Sequence, residues 1–99
     1  MINKQQVVQQ LESQKEYLQE TFGLTKIGLF GSVSRGDNRV DSDIDILFEI
    51  DDKKKFSMFQ YLKLNKFLEE NLNSHIDLVR ESTIKEALKP YIQKDLIYV

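Results

Sequence analysis

Three aspartates occupy every second position in Asp41-Ser42-Asp43-Ile44-Asp45, and ten residues separate Asp43 from an upstream Gly31-Ser32 pair. Alternate side chains of an extended strand point the same way. Asp43 and Asp45 therefore share one side, roughly 6–7 Å apart along the backbone at ~3.3 Å per residue. Two unit charges ~4 Å apart repel by about 4 kcal/mol at an effective dielectric near 20. For a domain stable by about 5–15 kcal/mol that is a large standing penalty. A hard divalent cation with oxygen ligands reverses its sign. The upstream half supplies the usual companion of such a cation. Gly31 allows a sharp turn and a close ligand approach to the main chain. Ser32 is placed to cap a short helix, offering a hydroxyl and free N–H groups to a phosphate. Arg35 adds a fixed positive charge and Gly36 permits the return turn. Carboxylates for a cation beside donors for phosphates make the two halves of a site for Mg²⁺ and a nucleoside triphosphate.

Each half has a plainer alternative. A Gly-Ser pair alone reads as a turn, the acidic string as a solvated loop, and Arg35 as a partner for Asp37 or Asp41 alone. A calcium loop is a further rival, because Asp41-x-Asp43-x-Asp45 copies the start of an EF-hand. It fails at the sixth position, Ile46 in place of glycine, and at the twelfth, Asp52 in place of glutamate.

The elements that must carry these residues follow from periodicity. Val7, Val8, Leu11, Leu18 and Phe22 recur at helical spacing, with an Asn3–Gln6 capping box before them and Gly23 as the C-terminal stop. Residues 25–30, TKIGLF, form a short apolar strand leading into the Gly-Ser turn. In 43–50, DIDILFEI, strict alternation sends Ile44, Ile46, Phe48 and Ile50 one way and Asp43, Asp45, Leu47 and Glu49 the other. A second helix runs from about 56 to 72 with Phe59, Tyr61, Leu62, Leu64, Phe67, Leu68 and Leu72 as a broad apolar surface. A third strand, HIDLV, covers 75–79. Thr83 with Glu86 resembles another capping box, and Pro90 suits the first turn of a last helix ending near Leu96. The predicted architecture is α/β: a small mixed sheet with helices packed mainly on one side.

At 99 residues the chain reads as one domain, 1–99. Its 40% hydrophobic content with ten aromatics (six Phe, four Tyr) supports a modest core. A net charge of −2 argues against an extended nucleic-acid surface. Without cysteine there is neither a disulfide framework nor a thiolate metal site. No apolar run approaches membrane-spanning length and the first twenty residues are too polar for a signal peptide, so a cytoplasmic protein is expected.

The stretch GSVSRGDNRVDSDIDILFEI resembles the signature of the DNA polymerase β-like nucleotidyltransferase superfamily, a glycine-serine pair followed by Asp-x-Asp. Its SRG…SDID form and short length resemble the minimal nucleotidyltransferase (MNT) branch. The signature covers about a fifth of the chain, and the element order extends the likeness to most of it. The resemblance implies a third carboxylate on a later strand, for which Asp77 in HIDLV is the matching position. Glu49 is its rival on the face of Asp43 and Asp45, but lies ~13 Å from Asp45, too far to share an ion. His75 is left outside the site as an isolated histidine at a strand start.

The resemblance further implies a two-metal reaction: Asp43 and Asp45 hold Mg²⁺ against ATP, Gly31 and Ser32 anchor its outer phosphates, and Arg35 assists. Asp77 would bind the second ion and accept the proton of the attacking hydroxyl. After the third strand about twenty residues follow, so the acceptor is expected from another molecule. The branch implies a HEPN-type toxin whose tyrosine is adenylylated, with FSMFQYL and KPYIQKDLIYV as interface candidates. These stripes would otherwise pack on their own sheet. The rival in function is a chain of this fold that neutralises its partner by contact alone.

Overall fold

The computed structural model describes residues 2–99. Helix α1 spans Lys4–Phe22, and the Asn3–Gln6 capping box closes its start in both directions. Gly23 ends it in the left-handed conformation, with its N–H donating to Gln19. Strand β1 (Leu24–Phe30) follows, then a five-residue helix α2 (Gly31–Arg35), strand β2 (Ile44–Ile50), helix α3 (Met58–Leu72) and strand β3 (Ile76–Arg80). Two 3₁₀ turns, Glu81–Thr83 and Glu86–Leu88, lead to helix α4 (Lys89–Asp95) and a two-residue strand β4 (Ile97–Tyr98). The sheet order is β3-β2-β1-β4, with β2 and β3 parallel and the other pairs antiparallel. A parallel pair needs a crossover, and α3 supplies it.

The alternation in β2 sorts its faces as expected. Ile44, Ile46, Phe48 and Ile50 are buried with Leu24, Ile27 and Leu29 of β1 beneath α1 and α3. Val7, Leu11, Leu18 and Phe22 of α1 and Leu64, Leu68 and Leu72 of α3 complete this layer. Each such side chain contributes about 1.5–3 kcal/mol on leaving water. The stacked Tyr17 and Phe67 rings, 4.9 Å apart, join the two helices. On the opposite face Leu47 is also buried, and it shares a cavity of about 250 Å³ with Ile84, Ile92 and Leu96 of the C-terminal segment. That segment thus crosses the sheet face that carries Asp45.

Three local expectations are corrected. Thr83 and Glu86 form no capping box; the Thr83 hydroxyl donates to the Arg80 carbonyl and the chain makes 3₁₀ turns instead of a helix. Ser32 is not the cap of α2, because Phe30 holds that position and Ser32 sits inside the first turn. The second helix starts only at Met58, where Ser57 and Gln60 form a true capping box. No helix among the described residues is long and apolar enough to cross a membrane.

Candidate active site

Strand β1 ends at Phe30, directly opposite Asp45 of β2, and the chain turns at once through Gly31. Gly31 has φ 74°, a left-handed conformation that side chains resist, and a methyl group there would collide with the Asp45 carboxylate. Glycine is therefore required twice over at this point. From the other side, the parallel register sets Asp45 against Asp77 of β3. The Ile44 N–H donates to the His75 carbonyl at 3.0 Å and fixes the start of this pairing. Gly31, Asp45 and Asp77 thus meet at one end of three neighbouring strands, with Asp43 just before β2.

Asp43 and Asp77 are exposed, whereas Asp45 is half-buried. Burial, a hydrogen bond shared with Asp77, and the charges of Asp77 and Asp43 push the Asp45 carboxyl up to about 6. The nearby positive charge of Arg35 offsets this only in part. The Tyr61 hydroxyl backs the strand by donating to the Leu78 carbonyl at 2.6 Å. Burial and the Asp77 charge both raise its proton affinity.

Among the described residues no three acidic or histidine side chains already form a cage for an ion. The donor set nevertheless fits Mg²⁺, which keeps several waters and is held by one or two carboxylates together with substrate phosphates. Two paired carboxylates, one charged neighbour and an open side are such a set. The close seat of Gly31 on Asp45 leaves main chain, rather than a side chain, beside the carboxylates.

Arg35 pairs with Asp37, as one of the plainer readings had it, and also with a partner that the sequence did not suggest. Its Nε lies 3.0 Å from Asp37 and its Nη1 2.8 Å from Asp95, so both ends of the guanidinium are engaged. Asp95, together with Ser34 whose hydroxyl donates to the Asp95 carbonyl, was not visible in the spacing, since Arg35 and Asp95 lie 60 positions apart. Glu49 is set apart from the site by chemistry as well as distance. It pairs with Arg80 at 2.8 Å and accepts from the N–H groups of Ser82 and Ile50. His75 turns toward Glu69, at 3.5 Å, with its side chain in solvent.

The apolar stripes are only partly consumed by the core. Met58, Phe59 and Leu62 are 72%, 66% and 57% exposed, and Leu88, Tyr91 and Tyr98 are all more than half exposed. Packing on the chain's own sheet does not account for these six.

A mixed sheet with a glycine-serine turn seated on paired strand carboxylates is the layout of a nucleotidyltransferase. The chain belongs to the nucleotidyltransferase domain family, whose model matches residues 11–99. The protein adenylyltransferase MntA of Thermococcus cleftensis is 32% identical over 99 residues, spanning 100% of this chain and 98% of that protein. A solved minimal nucleotidyltransferase superposes with a TM-score of 0.79 at 24% identity, over 97% of this chain and 95% of the other. A complex of a tri-AMPylated Shewanella oneidensis HEPN toxin with an MNT antitoxin gives a TM-score of 0.66 at 22% identity, over 93% and 70%. At these identities the two structural likenesses concern the fold.

Proposed function

We propose that this chain is a Mg²⁺-dependent adenylyltransferase that moves AMP from ATP to a hydroxyl, that of a tyrosine, on a HEPN-type partner protein, and so acts as its antitoxin in the cytoplasm. The observation that carries the reading is the Asp45–Asp77 pair beneath Gly31, an arrangement costly to the free chain and useful to a cation-bound nucleotide. The adenylyl group and the HEPN partner come from the names of its relatives.

In this reading Asp43, Asp45 and Asp77 hold two Mg²⁺ ions. When bound, the metal neutralises the triphosphate and polarises the phosphorus to be attacked. Gly31 and Ser32 grip the outer phosphates through the backbone of the α2 turn, and Arg35 lends positive charge from its fixed position. Asp77, exposed at the strand end, accepts the proton as the acceptor oxygen bonds to the α-phosphorus. The bond from that phosphorus to the bridging oxygen breaks, and pyrophosphate leaves. The openness of Asp43 and Asp77 suits an acceptor presented by another protein, and the exposed Met58, Phe59, Leu62, Leu88, Tyr91 and Tyr98 offer that protein apolar contacts.

The test is to incubate the chain with the protein encoded beside it, labelled ATP and Mg²⁺. Label should pass to a partner tyrosine, and Asp43→Asn with Asp45→Asn should abolish the transfer and the neutralisation together. Neutralisation that survives in the double variant, with no label moved by the parent, would instead mean inhibition by contact alone.

A further inference from the structure

Helix α2 is five residues long, too short to hold its own place by helix propensity, yet it carries both Gly31 and Ser32. Val33 seats it in the core, and one polar residue, Ser34, is buried with it. What fixes its outer end comes from the far end of the chain. Ser34 donates its hydroxyl to the Asp95 carbonyl, and Arg35 donates through Nη1 to the Asp95 carboxylate at 2.8 Å. The Asp95 side chain is only 13% exposed, so this pair is shielded on one side from solvent screening. Asp95 itself stands where α4 passes into β4, and β4 is bonded to β1 through Gly28 and Leu29. The strand that leads into the turn and the residue that clamps its exit are therefore tied to one another.

We propose that Asp95 is a positioning residue for the nucleotide donor, acting through Arg35 and Ser34 to hold α2 at the distance from Asp45 at which its backbone can grip phosphates. This rests on the adenylyltransferase reading above. Arg35 is forked between Asp37 and Asp95, with separate N–H groups of its planar guanidinium directed at the two carboxylates. Because Asp95 touches no reacting atom, its loss removes binding shared by ground and transition states. Such a loss raises KM and leaves kcat nearly alone.

The test measures the affinity of the full chain for Mg²⁺–ATP and for Mg²⁺–tripolyphosphate by calorimetry, beside transfer kinetics on the partner. Asp95→Asn should weaken both ligands about tenfold, the scale of one charge-assisted hydrogen bond, with kcat changed less than about twofold. Equal losses for the two ligands are expected because α2 faces phosphates and not the base. Asp95→Glu should recover part of the affinity. Arg35→Lys combined with Asp95→Asn should be no worse than the more damaging single change, since both break one linkage. A lowered melting temperature with both affinities unchanged would overturn the proposal, leaving Asp95 as a stability residue. Additive losses in the double variant would overturn it as well. Failure of the parent chain to bind either ligand would remove the adenylyltransferase reading along with this inference, a result distinct from those two.

Discussion

Asp45 and Glu49 lie four residues apart on one face of β2, and β3 answers them in opposite ways. Opposite Asp45 it places Asp77; for Glu49 it provides Arg80 at 2.8 Å, with the Ser82 N–H just beyond. Burial works against the charge of both acids. At Glu49 the guanidinium and the N–H groups of Ile50 and Ser82 outweigh it and hold the carboxyl below its ordinary range. At Asp45 burial is joined by Asp77 and Asp43, and the carboxyl rises to about 6. One strand thus carries a satisfied charge at one end and a frustrated one at the other. The satisfied acid fastens the sheet to the C-terminal segment. The frustrated acid is seated under Gly31, with Arg35 offsetting its burial and its like-charged neighbours only in part.

The contrast breaks most visibly in catalysis. Asp45→Asn should reduce AMP transfer by about 10³-fold or more, the scale of several kcal/mol supplied by a positioned metal, whereas Glu49→Gln should leave transfer near the parent rate. Single-turnover assays on the partner protein read both. Gly31→Ala comes next. A left-handed non-glycine residue costs about 1–2 kcal/mol, and contact with Asp45 adds to it, so both denaturant stability and ATP affinity should fall. Glu49→Gln sharpens the other side. Loss of a charge-assisted network at a partly buried site should cost about 1–2 kcal/mol in urea unfolding. Glu49 has a lowered folded pKa, so its contribution is present above its unfolded pKa and disappears as pH falls through the folded one. The cost of Glu49→Gln should therefore shrink in acid.

Much of the frame was legible. The Asn3–Gln6 box, the Gly23 stop and the alternation of Ile44, Ile46, Phe48 and Ile50 are local signals that the fold keeps, whereas the equally local Thr83–Glu86 signal gives way to 3₁₀ turns. Ser57-x-x-Gln60 carried a capping signal as plain as the first and marks where α3 begins. Alternation also placed Asp43, Asp45 and Glu49 on one side. It could not tell that Asp77 would stand beside Asp45, because register between β2 and β3 is set by packing across the α3 crossover; the family resemblance supplied that pairing. Asp37 was foreseen as a partner of Arg35, but the second partner was missed for a related reason. That partner, Asp95, is remote in the chain and meets Arg35 only after the C-terminal segment has crossed the sheet. The short strand β4 was missed because two residues hold no period.

The smallest effect is the most direct. With chelator present and no nucleotide, melting temperatures of the parent and Asp45→Asn are compared from pH 4 to 8. The folded pKa of Asp45, about 6, lies above the ordinary 3.8, so the folded chain binds the proton more tightly and loses stability as pH rises between those values. Asn carries no such charge. The variant should match the parent near pH 4, gain on it through pH 5–6 and melt higher above pH 6, with added Mg²⁺–ATP reversing the order. A difference that does not change with pH, or a parent that melts higher than the variant at pH 8 in chelator, would contradict a carboxylate held at a cost for its metal.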